Sequence, residues 1–190
     1  QARGGDIEGE PGFGCVLRPA FLLPPLMFSQ EELQALTLGA QWVGRQTDDG
    51  LALAAQNAIA KIGAVLPPEL RPMLTDNAFH VGRRAASPAA AVDLRMLRQA
   101  MREQFKLHIA YRGPKGDETQ RIIWPIMLGF IETKRFVAGW CELRQDFRTF
   151  RIDRIDKLGL LEERYPGRRR DLAKRWRTLA DAERAKAAST

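Results

Sequence analysis

Two periodicities divide the chain. Apolar residues recur at threes and fours as far as about residue 105, and alternate in twos from there to about residue 161. From Ser29 the spacing predicts a helix: Ser29 can cap it, Glu32 can close a capping box, Phe28 and Leu33 fit a hydrophobic staple, and Leu33, Leu36, Ala40 and Val43 form the stripe. After Asp48-Asp-Gly50 a second stripe runs through Leu51, Ala55, Ile59, Ile62 and Leu66 until Pro67-Pro68 stops it. The two read as an antiparallel helical hairpin whose small residues, Ala52, Ala54, Ala55, Ala58 and Ala60, allow close approach within the chain or between two copies. Residues 67–91 show little period and read as a short helix and a linker, with His80 as a loop residue lacking partners at ligand spacing. A third helix follows, with Leu94, Leu97, Met101 and Phe105 inward and Arg95, Arg98, Arg102 and Glu103 outward.

The strand pattern begins at Lys106–Arg112, where Leu107, Ile109 and Tyr111 alternate with His108 and Ala110. Gly113-Pro-Lys-Gly116 turns the chain into Thr119–Ile126, and Met127–Ile131 reads as a further strand. A hairpin then spans Arg135 to Asp156 across an Arg-Gln-Asp turn. Phe136, Ala138 and Trp140 lie on one face of its first strand, with Val137, Gly139, Cys141 and Leu143 on the other. In its second half Arg148, Phe150, Ile152 and Arg154 share one face, opposite Phe147, Thr149, Arg151, Asp153 and Ile155. With Leu158-Gly-Leu-Leu161 this makes five or six short strands, the pattern of a small barrel, in an α+β chain. The tail returns to helical spacing at Leu172, Trp176 and Leu179, behind Arg168-Arg-Arg170. The opening is rich in Gly and Pro, and residues 6–18 read as a hairpin; Gly12-Phe-Gly14 lacks the lysine and following helix that a phosphate loop needs. The first residues, Gln-Ala-Arg-Gly-Gly, read as the middle of a longer protein whose N-terminal domain has been removed.

Composition narrows the class without naming a function. The 190 residues are 45% hydrophobic and 28% charged, the balance of a folded globular chain, and no apolar run approaches membrane-spanning length. A net charge of +7 favours polyanionic partners. Two cysteines far apart, Cys15 and Cys141, fit a reduced, cytoplasmic setting, with Cys141 as a small buried hydrophobe.

The chemistry concentrates in the hairpin. Arg144, Arg148, Arg151 and Arg154 crowd it, and guanidinium forks either pair with local carboxylates, here Glu142, Asp146, Asp153 and Asp156, or recognise an anion such as phosphate. Strict alternation sets Arg148 and Arg154 against Arg151, so the three converge only if the strand bends. No paired carboxylates, nucleophile–base set or metal constellation stands at usable spacing, so neither an enzyme nor a cofactor is expected.

Several phrases together resemble the bacterial WYL-domain transcription regulators of the YafY-like type. They are Leu17-Arg-Pro-Ala-Phe-Leu-Leu-Pro-Pro-Leu-Met-Phe28, Leu107-His-Ile-Ala-Tyr111, Trp124-Pro125, Trp140-Cys-Glu-Leu-Arg144 and Phe147-Arg-Thr-Phe-Arg-Ile-Asp-Arg-Ile155. The resemblance implies a winged-helix remnant and linker over 1–28, a helical linker and dimerisation region over 29–91, an Sm-like or SH3-like barrel (the WYL domain) over 92–165, and a basic C-terminal helix over 166–190. It also implies an effector-sensing and oligomerising role, with Tyr111, Arg144, Arg148, Arg151 and Arg154 binding a nucleotide or single-stranded nucleic-acid effector. A homodimer is expected, with operator DNA bound through a separate domain. Arg135-Phe136-Val137 stands where the family's Trp-Tyr-Leu would be. A reading of another class is a stand-alone small barrel that tracks nucleic-acid phosphates without a regulatory switch.

Overall fold

A computed structural model of the chain describes residues 7–10, 13–17, 27–75, 81–82, 92–132 and 134–188; His80 lies outside the described residues. The first elements are a two-stranded antiparallel hairpin, β1 (Ile7–Glu10) and β2 (Phe13–Leu17), within the span expected to form one.

Helix α1 (Gln30–Gln46) starts as the sequence dictates. The Ser29 side chain accepts from the Glu32 N–H at 3.2 Å, and the Glu32 carboxylate accepts from the Ser29 N–H at 2.7 Å. Its buried positions are Leu33 and Thr37, while Leu36 remains 40% exposed, so the buried face is rotated from the expected stripe. Thr37 can be buried because its hydroxyl donates to the Leu33 carbonyl at 2.8 Å, which leaves no polar group unsatisfied. Helix α2 (Asp49–Val65) is capped by Asp48 and packs on α1, and a 3₁₀ turn at Arg71–Leu74 packs against both.

Helix α3 (Leu94–Glu103) is capped by Asp93 and ends at Gln104, whose φ of 61° breaks the helix and starts β3 (Phe105–Arg112). Phe105, expected at the end of the helix, is therefore the first residue of a strand. The sheet continues with β4 (Glu118–Ile131), β5 (Lys134–Cys141), β6 (Asp146–Arg151) and β7 (Ile155–Arg164), in the antiparallel order β6-β5-β4-β3-β7. Closure into a barrel does not occur: β6 and β7 are the two edges, and no pairing joins them among the described residues. Ile152–Arg154 forms a 3₁₀ turn, so the chain leaves its pairing with β5 after Arg151 and joins β3 at Ile155 without the hairpin that would zip the edges together.

The two strands expected at 119–126 and 127–131 are one 14-residue strand. Pro125 has no N–H to give to the ladder, and the strand absorbs this as a bulge: Pro125 pairs with Gly139 and Met127 with Ala138, leaving Ile126 as the extra residue. The backbones approach so closely here that a Cβ on Gly139 would sit 2.5 Å from the Trp124 carbonyl oxygen.

The bulge separates two cores. On one side Leu94, Leu97 and Ala100 of α3 pack on Leu107, Ile109, Ile123, Val137, Cys141, Phe150 and Ile155. On the other, Leu172 and Ala173 of α4 (Arg169–Ala188) pack on Ile126, Ala138, Phe147 and Tyr165, with Trp124, Trp140 and Trp176 around them. Leu179, expected in that stripe, is 51% exposed. Cys141 is a free, fully buried thiol, the small hydrophobe that its neighbours indicate.

Candidate functional site

The arginine hairpin forms in the expected register, with Phe136 opposite Arg151, Val137 opposite Phe150, Gly139 opposite Arg148 and Trp140 opposite Phe147. Phe150 and Val137 anchor it to the α3 side and Phe147 and Ala138 to the α4 side. The arginines therefore project from a strand whose position is set by burial on both faces.

The structure gathers some of the candidate residues and separates others. Tyr111 pairs with Ile155, the residue after Arg154, and its ring meets Phe150 edge-on at 5.1 Å. Arg151 lies near enough to feel the Tyr111 hydroxyl electrostatically. The 3₁₀ turn at Ile152–Arg154 supplies the bend that strict alternation lacked, and it brings Tyr111, Arg151 and Arg154 to one end of the sheet. Arg144 is exposed in the turn at the other end of the hairpin, where its N–H donates to the Cys141 carbonyl at 3.2 Å. Arg148 projects from mid-strand and lines a groove of about 500 Å³ between the sheet and α4, shared with Phe136, Thr149 and Trp176.

Charge pairing distinguishes the members further. Arg151 grips Asp153 with both forks, Nε to Oδ1 at 3.0 Å and an Nη to Oδ2 at 2.5 Å, and this pairing holds its pKa above the ordinary arginine value against the desolvation around it. Arg148 pairs with Asp146 at 3.1 Å in an exposed contact, and Asp156 pairs with Arg112 at 2.7 Å. Arg154, half-buried on the 3₁₀ turn one residue before the partner of Tyr111, makes no side-chain hydrogen bond or ion pair with another described residue. It is an open cation at this end of the sheet among the described residues. Among the signature positions, Val137 is in the core, Phe136 faces Arg151 across the ladder, and Arg135 is half-buried where β5 begins.

Glu142, a carboxylate within reach of the arginines in sequence, is used elsewhere. It accepts from Lys106 Nζ at 2.8 Å and from Trp124 Nε1 at 2.8 Å, while Glu163 accepts from the same ammonium at 2.5 Å. Burial pushes the Glu142 carboxyl's pKa up, but Lys106 and Trp124 outweigh it and hold the pKa below the usual range. Lys106, only 8% exposed, is accordingly held protonated by its two carboxylates.

Two further features gave no signal in the strand pattern. Asp48, which accepts from the Leu51 N–H to cap α2, also receives a bidentate pair from Arg98 of α3, both contacts at 2.8 Å. Arg98 holds the Asp48 carboxyl below the usual carboxylate range despite its burial. Trp42 of α1 meets Phe130 of β4 edge-on at 5.0 Å. The helical hairpin is thus fastened to both α3 and β4, by residues about 50 to 90 positions apart.

A five-stranded antiparallel sheet entered through an amphipathic helix, with an arginine-bearing edge hairpin, defines a small α+β domain. Residues 93–160 match the family described as the WYL domain. The DNA-binding transcriptional repressor CapW of Stenotrophomonas maltophilia is 33% identical over 76 residues, which cover 38% of this chain and 25% of that protein. The chain thus spans about a quarter of the length of this curated relative. Among solved structures, Proteasome accessory factor B/C (PafBC) of Arthrobacter aurescens is similar over 76% of this chain and 22% of its own, at 21% identity and a TM-score of 0.40. No helix among the described residues is long and apolar enough to cross a membrane.

Arg151→Ala is expected to lower stability by about 1 kcal/mol, because Asp153 loses its bidentate partner. In thermal unfolding this is a fall in Tm of roughly 2–4 °C for a chain of this size. An unchanged Tm would show that the pair contributes nothing to the fold.

Proposed function

We propose that the chain is the effector-sensing and oligomerising part of a bacterial DNA-binding transcription regulator, and that its WYL domain binds a nucleotide or short single-stranded nucleic-acid ligand. The observation that carries this reading is the Arg154 guanidinium, which has no carboxylate in contact among the described residues, on the turn between Arg151 and the pairing of Ile155 with Tyr111. A guanidinium offers phosphate a planar fork of donors, and a tyrosine face stacks a base. The WYL match and the likeness to a transcriptional repressor support the regulatory half of the proposal. In a longer protein the operator DNA would be held by a separate domain. Asp48–Arg98 and Trp42–Phe130 would then be the contacts through which ligand binding biases the linker helices, by differing affinity for two arrangements.

Of the five candidate residues, we assign Arg154 and Tyr111 to ligand contact and Arg151 to shaping the turn. Arg148 and Arg144 stand further along the hairpin, where they could extend contact with a longer strand. Arg154→Ala is expected to weaken binding of a 5′-phosphorylated deoxydinucleotide by roughly ten- to a hundredfold, the loss of one charge-assisted hydrogen bond, with Tm unchanged. Calorimetric titration of the two proteins checks this, and equal affinities would remove Arg154 from the site.

The oligomerising half rests on α1 and α2, which leave Leu36 at 40%, Leu53 at 57% and Val65 at 83% exposure. If these helices form a homodimer contact, Leu36→Glu shifts the sedimentation coefficient from dimer to monomer with little loss of helicity. A wild-type chain that sediments as a monomer at high concentration contradicts the dimer.

A further inference from the structure

A second concentration of cations lies away from the hairpin. Arg168, Arg169 and Arg170 open α4, although three positive charges at a helix N-terminus oppose the helix dipole and repel one another. Folding adds to the cluster. Gln104, the left-handed residue that ends α3, accepts from the Arg169 N–H at 3.1 Å and donates to the Gly167 carbonyl at 2.9 Å, while its own carbonyl receives the Tyr165 N–H at 3.0 Å. This clamp sets the start of α4 beside the end of α3, whose Arg98 and Arg102 stand one helical turn apart.

The result is a cleft of about 910 Å³, floored by Ile126, Met127 and Leu128 and lined by Arg98, Arg102, Arg168, Arg169, Arg170 and Arg177, with no acidic residue among the described residues of its wall. Internal pairing accounts for only part of this charge. Arg98 is held by Asp48 at 2.8 Å, Arg169 donates to the Ile126 carbonyl at 3.0 Å, and Arg102 has a loose contact with Glu103 at 3.6 Å. Arg168, Arg170 and Arg177 make no side-chain pair with another described residue. By contrast, the hairpin arginines 148 and 151 each have a carboxylate in contact.

Arg170 and Arg177 are two turns apart on α4, about 10 Å along its axis. A single small anion cannot satisfy both, whereas a chain of phosphates can. We infer that the α3–α4 cleft binds the phosphodiester backbone of a nucleic-acid strand, by charge and without reading bases. Guanidinium forks suit phosphate oxygens, and a concave wall with an apolar floor suits a strand better than a flat membrane surface.

The test uses the full chain and a labelled single-stranded deoxyoligonucleotide of about 12 nucleotides, within the usual site size of strand-binding folds, with binding followed by fluorescence anisotropy across a salt series. Replacing the three open arginines together, Arg168→Gln, Arg170→Gln and Arg177→Gln, is expected to weaken binding at least tenfold at low salt. The log–log salt slope is expected to fall by about 2, at about 0.7 for each phosphate that is no longer neutralised. The exposed single variant Arg170→Gln provides the same reading at about 0.7 without risk to folding. Arg154→Ala leaves the slope of this cleft in place, so failure here is distinguishable from failure at the hairpin. Unchanged affinity and slope in the triple variant overturn the inference. So does a wild-type protein that binds inorganic tripolyphosphate or an acidic peptide in the same titration and not the oligonucleotide.

Discussion

The bulge at Pro125–Ile126 is the constraint on which the rest of the architecture depends. A proline inside a central strand cannot donate to its neighbour, and β4 accommodates it by inserting Ile126 out of register into the α4-side core. The carbonyls at the bulge become free for side chains: the Tyr165 hydroxyl donates to Pro125 at 2.9 Å, and Arg169 donates to Ile126 at 3.0 Å. Tyr165 also stacks on Trp124 at 6.0 Å, and its burial pushes the phenol pKa up to about 12, with Arg169 partly offsetting the shift. The same bulge that bends the sheet therefore docks α4 and places its arginines beside α3.

Pairing, more than the number of arginines, separates structural from receptive charge. Arg151 is committed to Asp153, Arg98 to Asp48 and Arg112 to Asp156, and each of these holds two segments or the two ends of a turn together. Removing one partner from such a pair costs stability because a carboxylate is left short of its donor. Arg154, by contrast, and Arg168, Arg170 and Arg177 have no such commitment among the described residues. Charge placed without a partner among the described residues, in a fold that pairs Arg98, Arg112 and Arg151 with carboxylates, is the physical basis for reading these residues as ligand contacts.

Much of this was legible in the sequence wherever the signal was local. The Ser29–Glu32 capping box, the hairpin register that puts Val137 and Cys141 in one core and Trp140 in the other, and the α+β succession all follow from spacing within a dozen residues. Thr37 went unrecognised as a buried position because its hydroxyl is satisfied by its own helix. The boundary expected between Ile126 and Met127 is the β4 bulge, since period-2 alternation cannot tell a bulge from a break. The open sheet depends on a three-residue 3₁₀ turn that looks like continuing strand. For the site, alternation alone split Arg151 from Arg154, and the 3₁₀ turn between them, which carries the chain to the pairing of Ile155 with Tyr111, gives no periodic signal. The Asp48–Arg98 joint and the α3–α4 cleft join residues 50 or more positions apart, and no periodicity reports on such pairs.

The assignment of Tyr111 and Arg154 to ligand contact is tested most directly by amide and guanidinium NMR of this chain, titrated with a 5′-phosphorylated deoxydinucleotide. The expected result is a saturable set of shifts centred on Tyr111, Arg154 and Ile155, with Arg151 moving less because Asp153 already holds it. Shifts confined to the α3–α4 cleft, or none that saturate, would contradict it.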